Sequence, residues 1–171
     1  MLHWIVAGFI LIQFTVGLYA ASLPLSLARL QWLSTHKSLG MSLLVLIVLR
    51  AIWRWGNPPP PLPESMPQRE QLAARLMHGA LYIVPLLAIL AGWLYASATG
   101  LSVNWFGLVL VPDLIAKNAQ IAPLLKTVHQ VLVALLALLV LAHVAAALRH
   151  AFVLKDGLLQ RMWSFNVSRK A

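Results

Sequence analysis

The stretch Lys126–His150, KTVHQVLVALLALLVLAHVAAALRH, decides the fold. Thirteen residues separate His129 from His143; none is charged and only Gln130 is polar. That is a helix made for lipid, since about 20 apolar residues cross a hydrocarbon core of about 30 Å. At about 100° and 1.5 Å per residue, the two imidazoles fall within about 40° of one face and about 21 Å apart along the axis. An ionisable or metal-binding side chain inside a span is costly and marks a functional site whose partner has to be sought. The rest of the chain must therefore supply two partners, one at each depth.

Composition agrees. Of 171 residues, 61% are hydrophobic and 10% charged, and the mean hydropathy is +0.83, which excludes an ordinary soluble globule. With no cysteine there is no disulfide, thiolate ligand, iron–sulfur cluster or Cys-x-x-Cys-His haem attachment, so a metal would have to be held by His, Met or carboxylate. The formal charge of +9 is assigned to membrane topology and anionic headgroups, with no nucleic acid as partner, because no basic and aromatic single-strand pattern accompanies it.

Four spans follow. The first covers about 3–21; nothing basic precedes it and Gln13 sits in its middle, unlike a signal peptide. Ser22–Thr35 reads as an amphipathic connector at the interface. The second span runs about 36–55 and closes on Arg50, Trp53, Arg54 and Trp55, a basic and aromatic membrane boundary. Asn57–Pro67, NPPPPLPESMP, is a stiff extended strap. The third span, about 74–98, holds Pro85 and is expected to kink there. The connector Ala98–Leu125 is too interrupted to span, the fourth helix covers about 126–150, and Phe152–Ala171 is a basic tail. No internal repeat stands out. Nine of the thirteen Lys and Arg (Arg50, Arg54, Arg69, Arg75, Arg149, Lys155, Arg161, Arg169 and Lys170) flank the strap and tail, against Arg29, Lys37, Lys117 and Lys126 on the other side. The richer side is expected to be cytoplasmic, which puts both termini inside.

With that topology His36 and His129 open their helices at the outer surface, while His3 and His143 meet at the inner depth. His78 and His150 remain, also on the inner side. A lone histidine at a helix end is commonly an interfacial side chain, but four on three helices at two depths form two antiparallel pairs. Two facing imidazoles without Cys or carboxylate leave a zinc site incomplete, whereas two trans imidazoles complete an iron porphyrin. Small residues (Gly8 and Gly17 in the first helix; Ser38, Gly40 and Ser42 in the second) fit a slot for a macrocycle or simply close helix packing. Lys37 or Lys126 outside, and Arg75 or Arg149 inside, stand where anionic propionates or topology would call for cations.

These features together resemble the prokaryotic cytochrome b561 family, related to the dihaem cytochrome b subunits of hydrogenases and formate dehydrogenases. The resemblance covers nearly the whole chain. It rests on His3-Trp4, on His36, on the proline strap followed by His78, on Trp105-Phe106-Gly107 with a following Pro112, and on His129 and His143. It implies one membrane domain over 1–171: an all-α transmembrane four-helix bundle with two haems inside it. The two haem b groups would be held by His36 with His129 outside and by His3 with His143 inside, in agreement with the depths. It also implies an electron carrier of the bacterial inner membrane. Some small members of the family oxidise superoxide outside and deliver its electron to ubiquinone, and the outer cations Arg29, Lys37, Lys117 and Lys126 suit an anionic donor. His78 and His150 are candidates for a quinone site, since imidazole titrates near neutral pH. The alternative is a non-catalytic relay docked to a periplasmic redox protein. With only Glu64, Glu70, Asp113 and Asp156 as carboxylates, acid–base hydrolysis is not expected.

Overall fold

The structure is a computed structural model that describes residues 2–58 and 66–155. The middle of the expected strap and the tail from 156, with Arg161, Arg169 and Lys170, lie outside the described residues. The chain forms four long helices: α1 (Leu2–Ser22), α2 (Leu27–Gly56), α3 (Gln68–Thr99) and α4 (Ala122–Leu148). All four are long and apolar enough to cross a membrane. The 21 residues of α1 give about 32 Å of helix, close to the thickness of the hydrocarbon core. Leu135, Leu138 and Leu141 of α4 are exposed in the isolated chain, as side chains meant for lipid are.

Several boundaries differ from the sequence expectation: α3 starts at Gln68 rather than near 74, and α4 at Ala122 rather than near 126, which puts His129 within α4 rather than at its opening. Most of the supposed interfacial connector after Ser22 belongs to α2, which starts at Leu27 because Ser26 accepts a hydrogen bond from the Arg29 N–H and caps it. His36 therefore sits in the third turn of α2 rather than at its opening. At the other end α4 continues beyond Leu148 as a π-helical turn, Arg149–Leu154. α3 begins at Gln68 and runs on through Pro85, whose ring is fully buried among the helices.

α1 packs along α2 and α3 along α4, with a lighter contact between α2 and α3. Among the described residues no Cα of α4 comes within 8 Å of a Cα of α1 or α2. Side chains bridge that space. Val6, Ile10, Leu43, Ile47, Val84 and Leu136 form the central apolar cluster. Leu43 lies seven residues after His36 and Leu136 seven after His129, so the cluster occupies the level midway along the spans.

The connector between α3 and α4 is a bonded cap. It carries a two-stranded hairpin, β1 (Asn104–Trp105) with β2 (Val109–Leu110), turned through Phe106 and Gly107 in left-handed conformations. The buried hydroxyl of Ser38 donates to the Asn104 carbonyl and accepts from the Phe106 N–H, both at 3.1 Å, and Trp105 Nε1 donates to the Ser42 hydroxyl at 3.0 Å. These bonds tie the hairpin to α2 within the two turns that follow His36.

Candidate functional site

At the hairpin end the rings of His36 and His129 face each other with centres 6.3 Å apart and planes at 79°. Each leans on a glycine of its neighbouring helix. A Cβ on Gly17 would lie 2.7 Å from Cε1 of His36, and one on Gly92 would lie 3.0 Å from both Cε1 and Nδ1 of His129. His129 Nδ1 stands 2.8 Å from the Ala88 carbonyl, which can only accept, so Nδ1 donates this bond and Nε2 is left on the other side of the ring. Gln13, the polar residue in the middle of α1, donates through Nε2 to the His36 carbonyl at 2.9 Å and so fixes α1 against α2 at this level.

At the strap end the rings of His3 and His143 are also 6.3 Å apart, with planes at 66°. His78, one of the two histidines left over in the sequence, approaches His143 more closely, at 5.4 Å. Trp4 packs edgewise on His3 at 5.1 Å. Nη2 of Arg50 lies 2.9 Å from Nδ1 of His3, and its guanidinium sits 5.1 Å over the Tyr82 ring, with that of Arg54 at 5.9 Å. His150 lies in the π-helical turn, seven residues beyond His143 and farther toward the chain end.

The spacing of both pairs fits a haem. With metal–nitrogen bonds of about 2.0 Å and a ring nitrogen about 1.2 Å from the ring centre, trans imidazoles on one iron have centres about 6.4 Å apart. His78 with His143, about 1 Å shorter than that, does not match. α4 stands farther from the α1–α2 pair than closely packed helices do, a spacing that a flat macrocycle between their histidines would require. Among the described residues no group of three or more His, Asp or Glu is placed to hold a bare metal ion. Two imidazoles suffice only where a porphyrin contributes the remaining nitrogens.

The cations divide. Lys37 donates to the carbonyls of Leu101 and Ser102 at 2.8 and 3.2 Å, and Arg149 pairs with Glu70 at 3.7 Å, so these two serve the connector and the helix ends. Arg29 donates to the Leu23 carbonyl at 3.3 Å. Lys126 and Lys117 share a cavity of about 420 Å³ with Tyr95, Ala98 and Thr99. Lys126 precedes His129 by one turn and Tyr95 follows Gly92 by one turn, so the cavity adjoins the His36–His129 level. Arg75 is exposed.

Two residues escaped the sequence reading. Gly92 supports His129 as Gly17 supports His36, and its signal was present as a glycine four residues after Ala88, the acceptor for His129. Arg50 looked like a boundary cation, but the structure turns it inward onto His3. Among the small residues, Ser38 and Ser42 hold the connector rather than line a slot, Gly40 makes room for the Gln13 amide, and Gly8 faces open space.

Comparison with known proteins gives a coherent picture. The family model for prokaryotic cytochrome b561 matches residues 1–165. Cytochrome b561 homolog 2 of Escherichia coli K12 is 33% identical over 165 residues, covering 94% of this chain and 86% of the relative. Cytochrome b561 homolog 1 of the same organism is 31% identical, over 94% and 92%. A probable superoxide oxidase CybB of Yersinia pestis is 29% identical, over 94% and 90%.

Proposed function

The chain belongs to the prokaryotic cytochrome b561 family, and from that premise we propose that it is a two-haem carrier moving single electrons from superoxide at the hairpin end to ubiquinone at the strap end of the bacterial inner membrane. The coarser part stands on the family: a multi-pass membrane electron carrier with haem b. The observation that supports two haems is the recurrence of one imidazole separation, 6.3 Å, at two levels of the bundle, and the likeness to a probable superoxide oxidase supports the choice of donor. In this reading His36 and His129 hold one haem and His3 and His143 the other.

Haem bound at these levels supplies reversible one-electron chemistry, and the protein sets its place and surroundings. Ala88 orients the His129 ring through its carbonyl, and Gly17 and Gly92 let the two rings stand close to α1 and α3. Leu43, Leu136 and their neighbours keep water and ions from the middle of the bundle, so charge crosses only as electrons. Lys117 and Lys126 raise the local concentration of a small anion beside the hairpin-end level. Superoxide giving up one electron there leaves as dioxygen. His78 and His150 stand toward the opposite end, where a quinone would take up electrons together with protons from the cytoplasmic side. The Lys and Arg excess around the strap supports a cytoplasmic strap end.

Mixing the purified, oxidised protein with superoxide in a stopped-flow instrument tests the donor. Reduction of the b-type bands without any added protein supports the proposal. An unreactive preparation that is reduced by a soluble redox protein would replace it with the relay reading. His150→Ala and His78→Ala test the acceptor: slower reoxidation by ubiquinone with an unchanged spectrum supports a quinone at that end, and unchanged kinetics in both would remove it.

A further inference from the structure

The two helix pairs repeat one arrangement. Gly17 of α1 receives His36 of α2, and Gly92 of α3 receives His129 of α4. Fourteen residues before each glycine stands a histidine, His3 and His78. Fourteen residues after His36 stands Arg50, and fourteen after His129 stands His143. The midway leucines correspond too: Leu43 and Leu136 are both buried in the central cluster. The hairpin-end level is therefore alike in both halves, a histidine on a glycine. The strap-end level pairs histidine with arginine in one half (His3 and Arg50) and histidine with histidine in the other (His78 and His143). Arg50 stands where the repeat would place a second His143.

That substitution puts a fixed charge directly against a histidine ring at the strap-end level, whereas the hairpin-end lysines, Lys117 and Lys126, line the cavity beside theirs. A guanidinium stays protonated in proteins. Nη2 of Arg50 donates to Nδ1 of His3 at 2.9 Å, so that nitrogen accepts where Nδ1 of His129 donates, and the guanidinium otherwise rests on Tyr82. Of the carboxylates in the described residues, Glu70 pairs with Arg149 and Asp113 accepts from the Ser102 hydroxyl at the hairpin end. At the other level His129 meets the negative end of the Ala88 carbonyl dipole instead. A nearby cation favours the iron state of lower charge, and a carbonyl oxygen on the ligand favours the higher.

We infer that Arg50 is a positioning residue that makes the two levels electrically unequal, raising the reduction potential of the haem held by His3 and His143 above that of its partner. The inference rests on the two-haem reading of the site. Its consequence is direction: electrons entering at the hairpin end run downhill toward the strap end.

The test is a redox titration of the haem-loaded, purified protein for Arg50→Gln, Arg50→Met and Arg50→Lys, with His129→Ala used to show which component belongs to the strap-end level. In the two neutral variants the strap-end component is expected to become harder to reduce by at least tenfold in its equilibrium, 59 mV for one electron, with the other component held near its original value. The Lys variant should keep most of the original value. Equal shifts of both components, no shift, or the same shift in Lys as in Gln would overturn the inference. So would a rise, because the guanidinium would then have been holding extra negative charge on the ring. Loss of the strap-end haem from both neutral variants would make Arg50 a structural support and likewise overturn it. A wild-type protein without two b-type components would defeat the two-haem reading itself, a result distinguishable from all of these.

Discussion

Gly17→Ala and Gly92→Ala probe the hairpin-end site through space rather than through the ligands. Carbon pairs settle at about 3.5–4.0 Å. The Cβ added at Gly17 would stand 2.7 Å from Cε1 of His36, so the ring must retreat by about 0.8 Å or more. Overpacking of this kind costs about 1–3 kcal/mol. At about 1.4 kcal/mol per factor of ten, that predicts about 5- to 150-fold weaker retention of the hairpin-end haem. At Gly92 the clash is milder, 3.0 Å, but the shift also stretches the 2.8 Å bond from His129 to Ala88, adding up to about 1.5 kcal/mol. Gly79→Ala is the control, since nothing lies within 4 Å of its added carbon. The assay is haem content per chain after dilution into haem-scavenging apomyoglobin, with the strap-end haem as internal reference. Full retention of both haems in Gly17→Ala, or equal loss in Gly79→Ala, would refute the assignment of the glycines as supports for the ligand rings.

His78→Ala should keep both haems, because the 5.4 Å spacing of His78 to His143 does not suit a shared iron; loss of one haem in the absorption spectrum would make it a ligand. Ser38→Ala leaves the Asn104 carbonyl and Phe106 N–H without their buried partner and is expected to cost about 1–3 kcal/mol, read as a lower melting temperature in detergent and faster proteolysis of the connector. An unchanged melting curve would mean that the hairpin does not depend on α2. Reversing Lys117 and Lys126 together to Glu should slow reduction by superoxide while sparing the haem spectrum, and the wild-type rate should fall as salt is added, since screening lengths shrink to about 8 Å at 0.15 M. A rate indifferent to both changes would separate the cavity from donor approach.

The four spans were legible because lipid imposes a compositional rule that survives any packing detail. The His pairs were legible because a polar ring in an apolar run has few cheap explanations. What the sequence hid was local. The start of α2 at Leu27 depends on a single cap at Ser26, and Ser22–Thr35 reads as interfacial because its polar residues match either state. Arg50 resembled every other boundary cation until α1 was laid beside it. His78 could not be ranked against His3 from depth alone; the difference between 5.4 and 6.3 Å belongs to helix rotation, which hydropathy does not encode. No internal repeat stands out in the sequence, and the fourteen-residue spacing shared by the two helix pairs becomes one only when Gly17 and Gly92 are seen touching histidines.

The central claim is that each chain carries two irons, each between imidazoles from different helices. Haem quantification of the purified protein, combined with low-temperature electron paramagnetic resonance of its oxidised form, tests it most directly. The account predicts two haem b per chain, both low-spin with two nitrogen axial ligands, falling to one in His129→Ala. A single haem per chain in the wild-type protein, or a high-spin signal from a five-coordinate iron, would contradict it.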